Sequence, residues 1–306
     1  MSLVVNEYSE YIFGQADDRK RLSIQHEAFK PNFGQKINLL LDEYGLGERL
    51  EKAKASGEKV RILDIGTGQG FYLRDVAAIL EERGWLAAAE FYALDSDEAS
   101  LLKAKELSSH LSSQVHFYLH DVTRPLETCE ELQNSINGPL QFDFIMAVMV
   151  MEHLPNARQQ IERYFNALKP GGVFFLRDTV TTMNEDGWKA VHPVIEPFAQ
   201  PGFKYIASIN GGTDVARLTA DWLRSAGASQ VQAYLDKMPI GGDTETGKLM
   251  LQNIILGVIN AAPALIKLGF ATQQQFEATM ATLTLELGPH LTGQMSFMDT
   301  LARKAK

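Results

Sequence analysis

From Val60 to Asp178, short apolar runs alternate with longer stretches in which apolar residues recur every three or four positions. The runs Val60–Ile65 (VRILDI), Glu90–Leu94 (EFYAL), Gln114–Tyr118 (QVHFY), Phe142–Val148 (FDFIMAV) and Val173–Arg177 (VFFLR) predict strands. The stretches between them, at about 69–83, 97–108, 127–135 and 156–168, predict helices. In the last of these Ile161, Phe165 and Leu168 mark one face, and the turn Lys169-Pro170-Gly171-Gly172 closes it. Strands that read as near-continuous apolar runs are buried on both faces. Their alternation with helices therefore predicts an α/β fold, a doubly wound and mostly parallel sheet.

The flanks have a different rhythm. Residues 6–50 read as helical, with one helix at Asp17–Phe29 stopped by Pro31 and a second at about Gly34–Tyr44. Residues 183–212 crowd Pro193, Pro197, Pro201, Gly202, Gly211 and Gly212 together and read as an insertion with short helical pieces. A helix at about 213–225 and a strand at about 230–235 follow. The tail from Asp236 reads as mostly helical, with Phe276, Met280, Leu283 and Leu287 on one face.

Composition narrows the classes. A chain of 306 residues with 45% hydrophobic and 22% charged residues is globular rather than disordered or fibrous. The net charge of −9, with no basic run, argues against a nucleic-acid partner. The single cysteine, Cys129, makes no intramolecular disulfide and no cysteine-based zinc site. No His/Glu spacing fits a zinc or EF-hand site, so no metal is expected. The opening MSLVVNEYSEYIFG lacks a basic segment, and the apolar stretch Ile254–Ile266 is short and interrupted by Asn260 and Pro263. The expectation is a cytoplasmic protein without a membrane partner.

Chemistry concentrates where the predicted strands end. Leu63-Asp-Ile-Gly-Thr-Gly-Gln-Gly70 closes the first strand, and its glycines let the backbone turn sharply against a ligand while a helix begins at once. The spacing is Gly-x-Gly-x-Gly; Phe71 occupies the third-glycine position of the dinucleotide fingerprint, which counts against a nicotinamide oxidoreductase. Asp95 ends the second strand, where a carboxylate accepts from vicinal ribose hydroxyls. Asp121-Val122 follows the third, where a carboxylate and the next amide match an adenine edge. Each has a plainer reading: the loop as a tight turn, Asp64 as the acceptor that orders it, and Asp95 as a cap for the helix starting near Asp97.

The chain resembles class I S-adenosylmethionine-dependent methyltransferases. The matching elements are LDIGTGQG (63–70), LDSD (94–97), HDVT (120–123), FDFIMAVMVMEHLP (142–155) and LKPGG (168–172), in family order over about residues 58–182. The resemblance implies a seven-stranded Rossmann-like sheet and S-adenosyl-L-methionine as cofactor. It puts the methionine part on Asp64, Gly66, Thr67, Gly68 and Gly70, the ribose on Asp95 and Ser96, and the adenine on Asp121 and Val122. Backbone near Ala147 then lines the methionine side. FGQADDRKRLSIQHEAF (13–29), GGTDVARLTADWLRSAG (211–227) and LGFATQQQFEATMATL (268–283) resemble a subset acting on small molecules, often bacterial secondary metabolites, in which helices from both termini cover the pocket. This implies an N-terminal helical cap (1–50), a cofactor-binding core (51–236) with the insertion 183–212, and a C-terminal helical segment (237–306) over the substrate. Tyr11 and Gln25 would then lie near the cofactor or the pocket mouth.

The implied reaction moves a methyl group to O, N or C of a small-molecule acceptor. His192 in the insertion and His153 after the fourth strand are candidate bases, with His26 a weaker one; the plain alternatives are a solvated loop histidine and an oriented structural one. Asp178, ending the fifth strand, binds substrate or caps a loop. The methionines at 146, 149 and 151 follow a buried strand and read as core. A cofactor-binding protein without methyl transfer, a regulator or rearrangement catalyst, is the alternative function. The apolar C-terminal helices leave a homodimer possible.

Overall fold

The five strands expected between Val60 and Arg177 are present in the computed structural model, which describes residues 18–182, 196–286 and 292–306. They are β1 (Val60–Ile65), β2 (Ala89–Asp95), β3 (Val115–Leu119), β4 (Phe142–Val148) and β5 (Leu168–Thr179). With β6 (Ala228–Gly241) and β7 (Thr292–Lys304) they form one seven-stranded sheet in the order β3-β2-β1-β4-β5-β7-β6. Strands β1 to β5 pair in parallel, and β7 is antiparallel to both β5 and β6. The expected doubly wound, mostly parallel Rossmann-like sheet is therefore observed.

Alternate residues of the central strands face opposite layers. On one side Ile62, Phe144 and Phe175 pack with α1 (Asp18–Glu43), α2 (Leu46–Ser56) and α3 (Phe71–Glu82). On the other, Leu63, Ile145 and Phe174 pack with α5 (Glu130–Ser135), α6 (Ala157–Asn166) and α8 (Val215–Ser225), whereas α4 (Glu98–Leu107) packs on β2 and β3. A third cluster joins Phe29 of α1 to Tyr205 and Ile206 of α7 (Glu196–Ile209), Met250 and Ile254 of α9 (Glu245–Lys267), and Phe297 of β7. The order of strands reverses between β1 and β4. In open α/β sheets that reversal leaves a crevice at the strands' carboxyl ends, and the third cluster lies beside it through Tyr72 and Met149.

Several local expectations are corrected. Pro31 does not stop a helix: α1 continues through it from Asp18 to Glu43. Proline inside a helix costs about 3 kcal/mol relative to alanine. Pro31 is exposed, and α1 buries Ala28, Phe29, Phe33, Ile37, Leu40 and Leu41 on its other side. Each large apolar side chain contributes about 1.5–3 kcal/mol, which exceeds that cost. Likewise α9 runs unbroken through Asn260 and Pro263. By length and composition it is the one described helix apolar enough to cross a membrane, although it packs against α1, α7 and β6.

The tail is helical in α9 and α10 (Gln273–Glu286) but also supplies strand, which the pattern does not show. β6 extends to Gly241, α9 and α10 follow, and β7 returns to the sheet between β5 and β6. β7 escapes a hydropathy pattern because Ser296, Asp299 and Thr300 are buried in it among apolar residues. In the insertion, residues 183–195 lie outside the described residues, and 196–209 form the single helix α7 rather than short pieces. Asn210 then caps α6, accepting from the Ala157 amide at 2.9 Å and donating to the Leu154 carbonyl at 3.1 Å.

Candidate active site

The glycine loop leaves β1 with Gly66, Gly68 and Gly70 all at positive φ, +63°, +53° and +69°. These left-handed conformations favour glycine. At Gly66 there is also no room: a Cβ would lie 2.6 Å from Val150 Cγ2. At Gly68 a Cβ would meet nothing within 4 Å, so this glycine borders open space. The loop is tied down internally by Gly70 N–H on the Thr67 carbonyl (2.8 Å) and Thr67 N–H on the Leu94 carbonyl (2.9 Å). The first amides of α3, which starts at Phe71, have no intrahelical acceptor and face the same end of the sheet.

Asp64 is buried and accepts from the Thr67 hydroxyl at 2.6 Å. Burial pushes its carboxyl up to about 7; Thr67 opposes the shift and the charge of Asp95 adds to it. Asp95 accepts from two backbone amides, Gly68 at 2.7 Å and Asp97 at 2.9 Å. Burial raises its carboxyl, and those amides together with Ser96 pull it back. The helix cap expected of Asp95 belongs instead to Asp97, which accepts from Ala99 and Ser100. Asp95 thus does not cap α4, and its carboxylate keeps an acceptor direction beyond these amides.

Asp121 accepts from the amide and hydroxyl of Thr123 at 2.9 and 2.7 Å. Burial raises its carboxyl, but these bonds and Arg124 outweigh that and hold it low. The next residue is held more firmly than sequence reasoning foresaw. The Val122 carbonyl accepts from Arg163 Nη2 and from the Tyr164 hydroxyl, each at 2.7 Å. Arg163 Nη1 also bonds the Thr123 carbonyl at 3.0 Å. Arg163 and Tyr164 lie on α6, some forty residues away, and no local pattern marks them.

Ala147 is buried near the end of β4, paired with Ile65 and Leu176. Beyond it Met149 has φ +60°, a left-handed conformation unusual for a side chain of its size, fixed by its amide on the Arg177 carbonyl at 2.7 Å. Next, the ends of β4 and β5 clasp each other. Glu152 accepts from the amide and hydroxyl of Thr179 at 2.9 and 3.1 Å, and Asp178 accepts from the Glu152 amide at 3.4 Å. Burial raises both carboxyls, and their mutual charge raises Glu152 further. Asp178 therefore has loop-holding contacts.

His153 lies 3.5 Å from Glu152 through Nε2. Burial, then the charge of Arg21, pushes its imidazole down to about 4. At neutral pH it is uncharged and carries a ring lone pair. His26 is committed elsewhere: its Nε2 sits 2.7 Å from Asp75 and its ring stacks on Phe71 at 4.8 Å. Gln25 is buried on α1 beside it. Tyr11 and His192 lie outside the described residues. Among the described residues no group of three or more His, Cys, Asp or Glu is placed to hold a metal ion. A groove of about 820 Å³ lined by Pro139, Leu140, Gln159, Arg163 and Asn166 opens near the start of β4 and touches the described site only through Arg163.

Asp64, the glycine loop, Asp95 and Asp121-Val122 therefore gather at the carboxyl ends of β1, β2 and β3, beside the reversal of strand order. A nucleoside carrying an amino-acid tail matches that donor and acceptor set: amides and a carboxyl at the loop, a carboxylate for a diol, and a carboxylate followed by an amide for a purine edge. The open space at Gly68 supplies the close approach.

Residues 63–174 match a family model described as methyltransferase domain. The chain is similar to N-methyltransferase gliN of Aspergillus fumigatus, 21% identical, with 88% of this chain and 86% of that protein covered. It is also similar to the ubiquinone biosynthesis O-methyltransferase of Pseudomonas syringae pv. tomato, 30% identical over 52% of this chain and 56% of that protein. A solved structure of phosphoethanolamine N-methyltransferase 2 from Haemonchus contortus is 14% identical with a TM-score of 0.49, covering 94% of this chain and 59% of its own.

Proposed function

We propose that this chain, a class I S-adenosylmethionine-dependent methyltransferase acting on a small molecule, methylates an oxygen or nitrogen of an apolar acceptor in secondary metabolism. The observation that carries the reading is the apolar cluster of Phe29, Met250, Ile254 and Phe297, which reaches Tyr72 and Met149 beside the glycine loop and the end of β4. An acceptor seated against this apolar layer would meet an apolar surface through Tyr72 and Met149. The N- and O-methyltransferases among the relatives support those two acceptor atoms.

S-adenosylmethionine, when bound, supplies an electrophilic methyl on a sulfonium. The residues of the chain hold and align. The glycine loop and Asp64 would take the amino-acid tail, Asp95 with Ser96 the ribose, and Asp121 with Val122 the adenine. The Ala147–Met149 backbone fixes the floor. The apolar cap of α1, α7 and α9 excludes water, and good alignment of two reactants is worth about 7–11 kcal/mol of barrier. Neutral His153 offers a ring nitrogen that can accept a hydrogen bond from an acceptor hydroxyl or amine and so position it, and Glu152 and Asp178 hold the turn that carries it.

The test is incubation with methyl-labelled S-adenosylmethionine and a panel of apolar phenols, amines and hydroxylated heterocycles, read by mass spectrometry. Label transfer to one class, with kcat lowered about a hundredfold in His153→Gln, is expected. Cofactor binding with no label transfer to any apolar acceptor, but transfer to charged hydrophilic ones, would overturn the acceptor class.

A further inference from the structure

We infer that α1 is a strut through which an occupied glycine loop orders the acceptor-side helix α9, with Gln69, Asp18, Arg21, Asn253 and Asn260 as its positioning residues. The inference rests on the proposed placement of the cofactor at that loop.

One end of the strut is fixed to the loop. Gln69 lies between Gly68 and Gly70, is buried, and donates from Nε2 to the Arg19 carbonyl of α1 at 3.1 Å. Two turns along, His26 stacks on Phe71, the first residue of α3, with its ring 12° from parallel, and bonds Asp75 at 2.7 Å. The helix therefore grips both the loop and the helix that the loop starts.

The same first turn of α1 is also fixed to α9. Arg21 donates from Nη1 to Asn253 Oδ1 at 3.1 Å, and Asn260 donates to Asp18 Oδ1 at 3.1 Å. Arg21 and Asp18 are themselves paired through two bonds of 2.5 and 2.9 Å. Asn253 and Asn260 are two turns apart and so share a face of α9, as Asp18 and Arg21 share a face of α1. Apolar contacts alone would let α9 slide along α1. Buried polar groups lose their partners on any such slide, and a buried group left unpaired is costly. The polar contacts thus select one register, and that register places Met250 and Ile254 in the cap.

A ligand that settles the glycine loop settles Gln69 and, through the Arg19 carbonyl, the start of α1. Because Arg19 lies between Asp18 and Arg21 in one helical turn, that pair and its asparagine partners are settled with it. Cofactor binding would then precede and assist acceptor binding.

Hydrogen exchange of the full chain, with and without S-adenosylhomocysteine, tests this. In the unaltered protein the ligand is expected to slow exchange in the loop and in α1, and in α9 by about five- to tenfold. Asn253→Ala with Asn260→Ala should keep the slowing in the loop and α1, lose it in α9, and leave ligand affinity within about threefold. Gln69→Ala should weaken S-adenosylhomocysteine binding about fivefold and lose the slowing in both helices. Asn260→Ala alone, at a partly exposed site, serves if the double variant does not fold. Equal slowing of α9 in the asparagine variants and the unaltered protein would overturn the strut. So would protection of the loop that never reaches α9. Absence of any S-adenosylhomocysteine binding to the unaltered protein would overturn the cofactor placement itself.

Discussion

The backbone amide of Gly68 donates to Asp95 Oδ2 at 2.7 Å, joining the glycine loop after β1 to the carboxylate that ends β2. A residue read from the sequence as a ribose acceptor or a helix cap thus shapes the loop that would receive the ligand. The same oxygen that holds Gly68 lies beside the open space the loop borders.

Asp95→Ala removes both roles. Hydrogen bonds to a charged group are worth about 1.5–3 kcal/mol. S-adenosylmethionine affinity, measured by calorimetry, should fall by roughly 10- to 100-fold. A change under threefold would remove Asp95 from the site.

The clamp on Val122 should be felt in the same measurement. Tyr164→Phe deletes a 2.7 Å bond to the Val122 carbonyl from a buried position on α6. Unfolding free energy in urea should drop by about 1–1.5 kcal/mol. Affinity for S-adenosylhomocysteine should fall a few-fold, since the Asp121-Val122 turn loosens. Unchanged affinity at lowered stability would leave Tyr164 a packing residue only.

Asp64 predicts how the ligand-free protein responds to pH. Its folded carboxyl is raised to about 7 from an ordinary 3.8, so the folded state holds a proton that the unfolded state has lost. The resulting stabilisation is complete below about pH 4 and is lost as pH rises through about 7. Between those limits this group alone lowers stability by up to about 1.4 kcal/mol per pH unit. Asp178 and Glu152 act in the same direction. Urea melts from pH 5 to 8 should show the decline, and Asp64→Asn should flatten part of it. An identical slope in the variant would show that Asp64 does not titrate in this range.

The edge of the sheet is held by a buried ion pair. Arg177 donates to both oxygens of Asp299 at 2.6 Å, and a third bond runs from Arg177 to Asp236 at 3.2 Å. Removing one partner leaves a charge buried without its counterpart, which costs about 3–5 kcal/mol. Asp299→Ala should lower unfolding free energy by that amount, and Arg177→Met with Asp299→Leu should recover much of it. A loss below about 1 kcal/mol for Asp299→Ala would mean water reaches the pair.

The central fold and its ligand-holding positions were legible in the sequence. β1, β2, β4 and β5 are near-continuous apolar runs because both their faces are buried, β3 is a partly exposed edge strand, and Asp64, Asp95, Asp121 and the glycine loop stand at or just past the carboxyl ends of β1, β2 and β3. Glycine at positive φ is a local requirement, and so is the tie between Asp121 and Thr123. Such features leave marks within a few residues.

Only the tertiary structure decided the rest. Pro31 and Pro263 sit inside helices because the burial of neighbouring faces outweighs a lost backbone bond. β7 carries Ser296, Asp299 and Thr300 into the sheet, where β5 brings Arg177 to Asp299; that pair spans 122 positions of chain. Arg163 and Tyr164 reach Val122 across 41 and 42 positions, and Gln69 reaches Arg19 across 50. Local pattern reports the periodicity of burial and the conformational needs of single residues. It holds no information about which distant polar group completes a buried one, because that pairing exists only once the chain has closed around both.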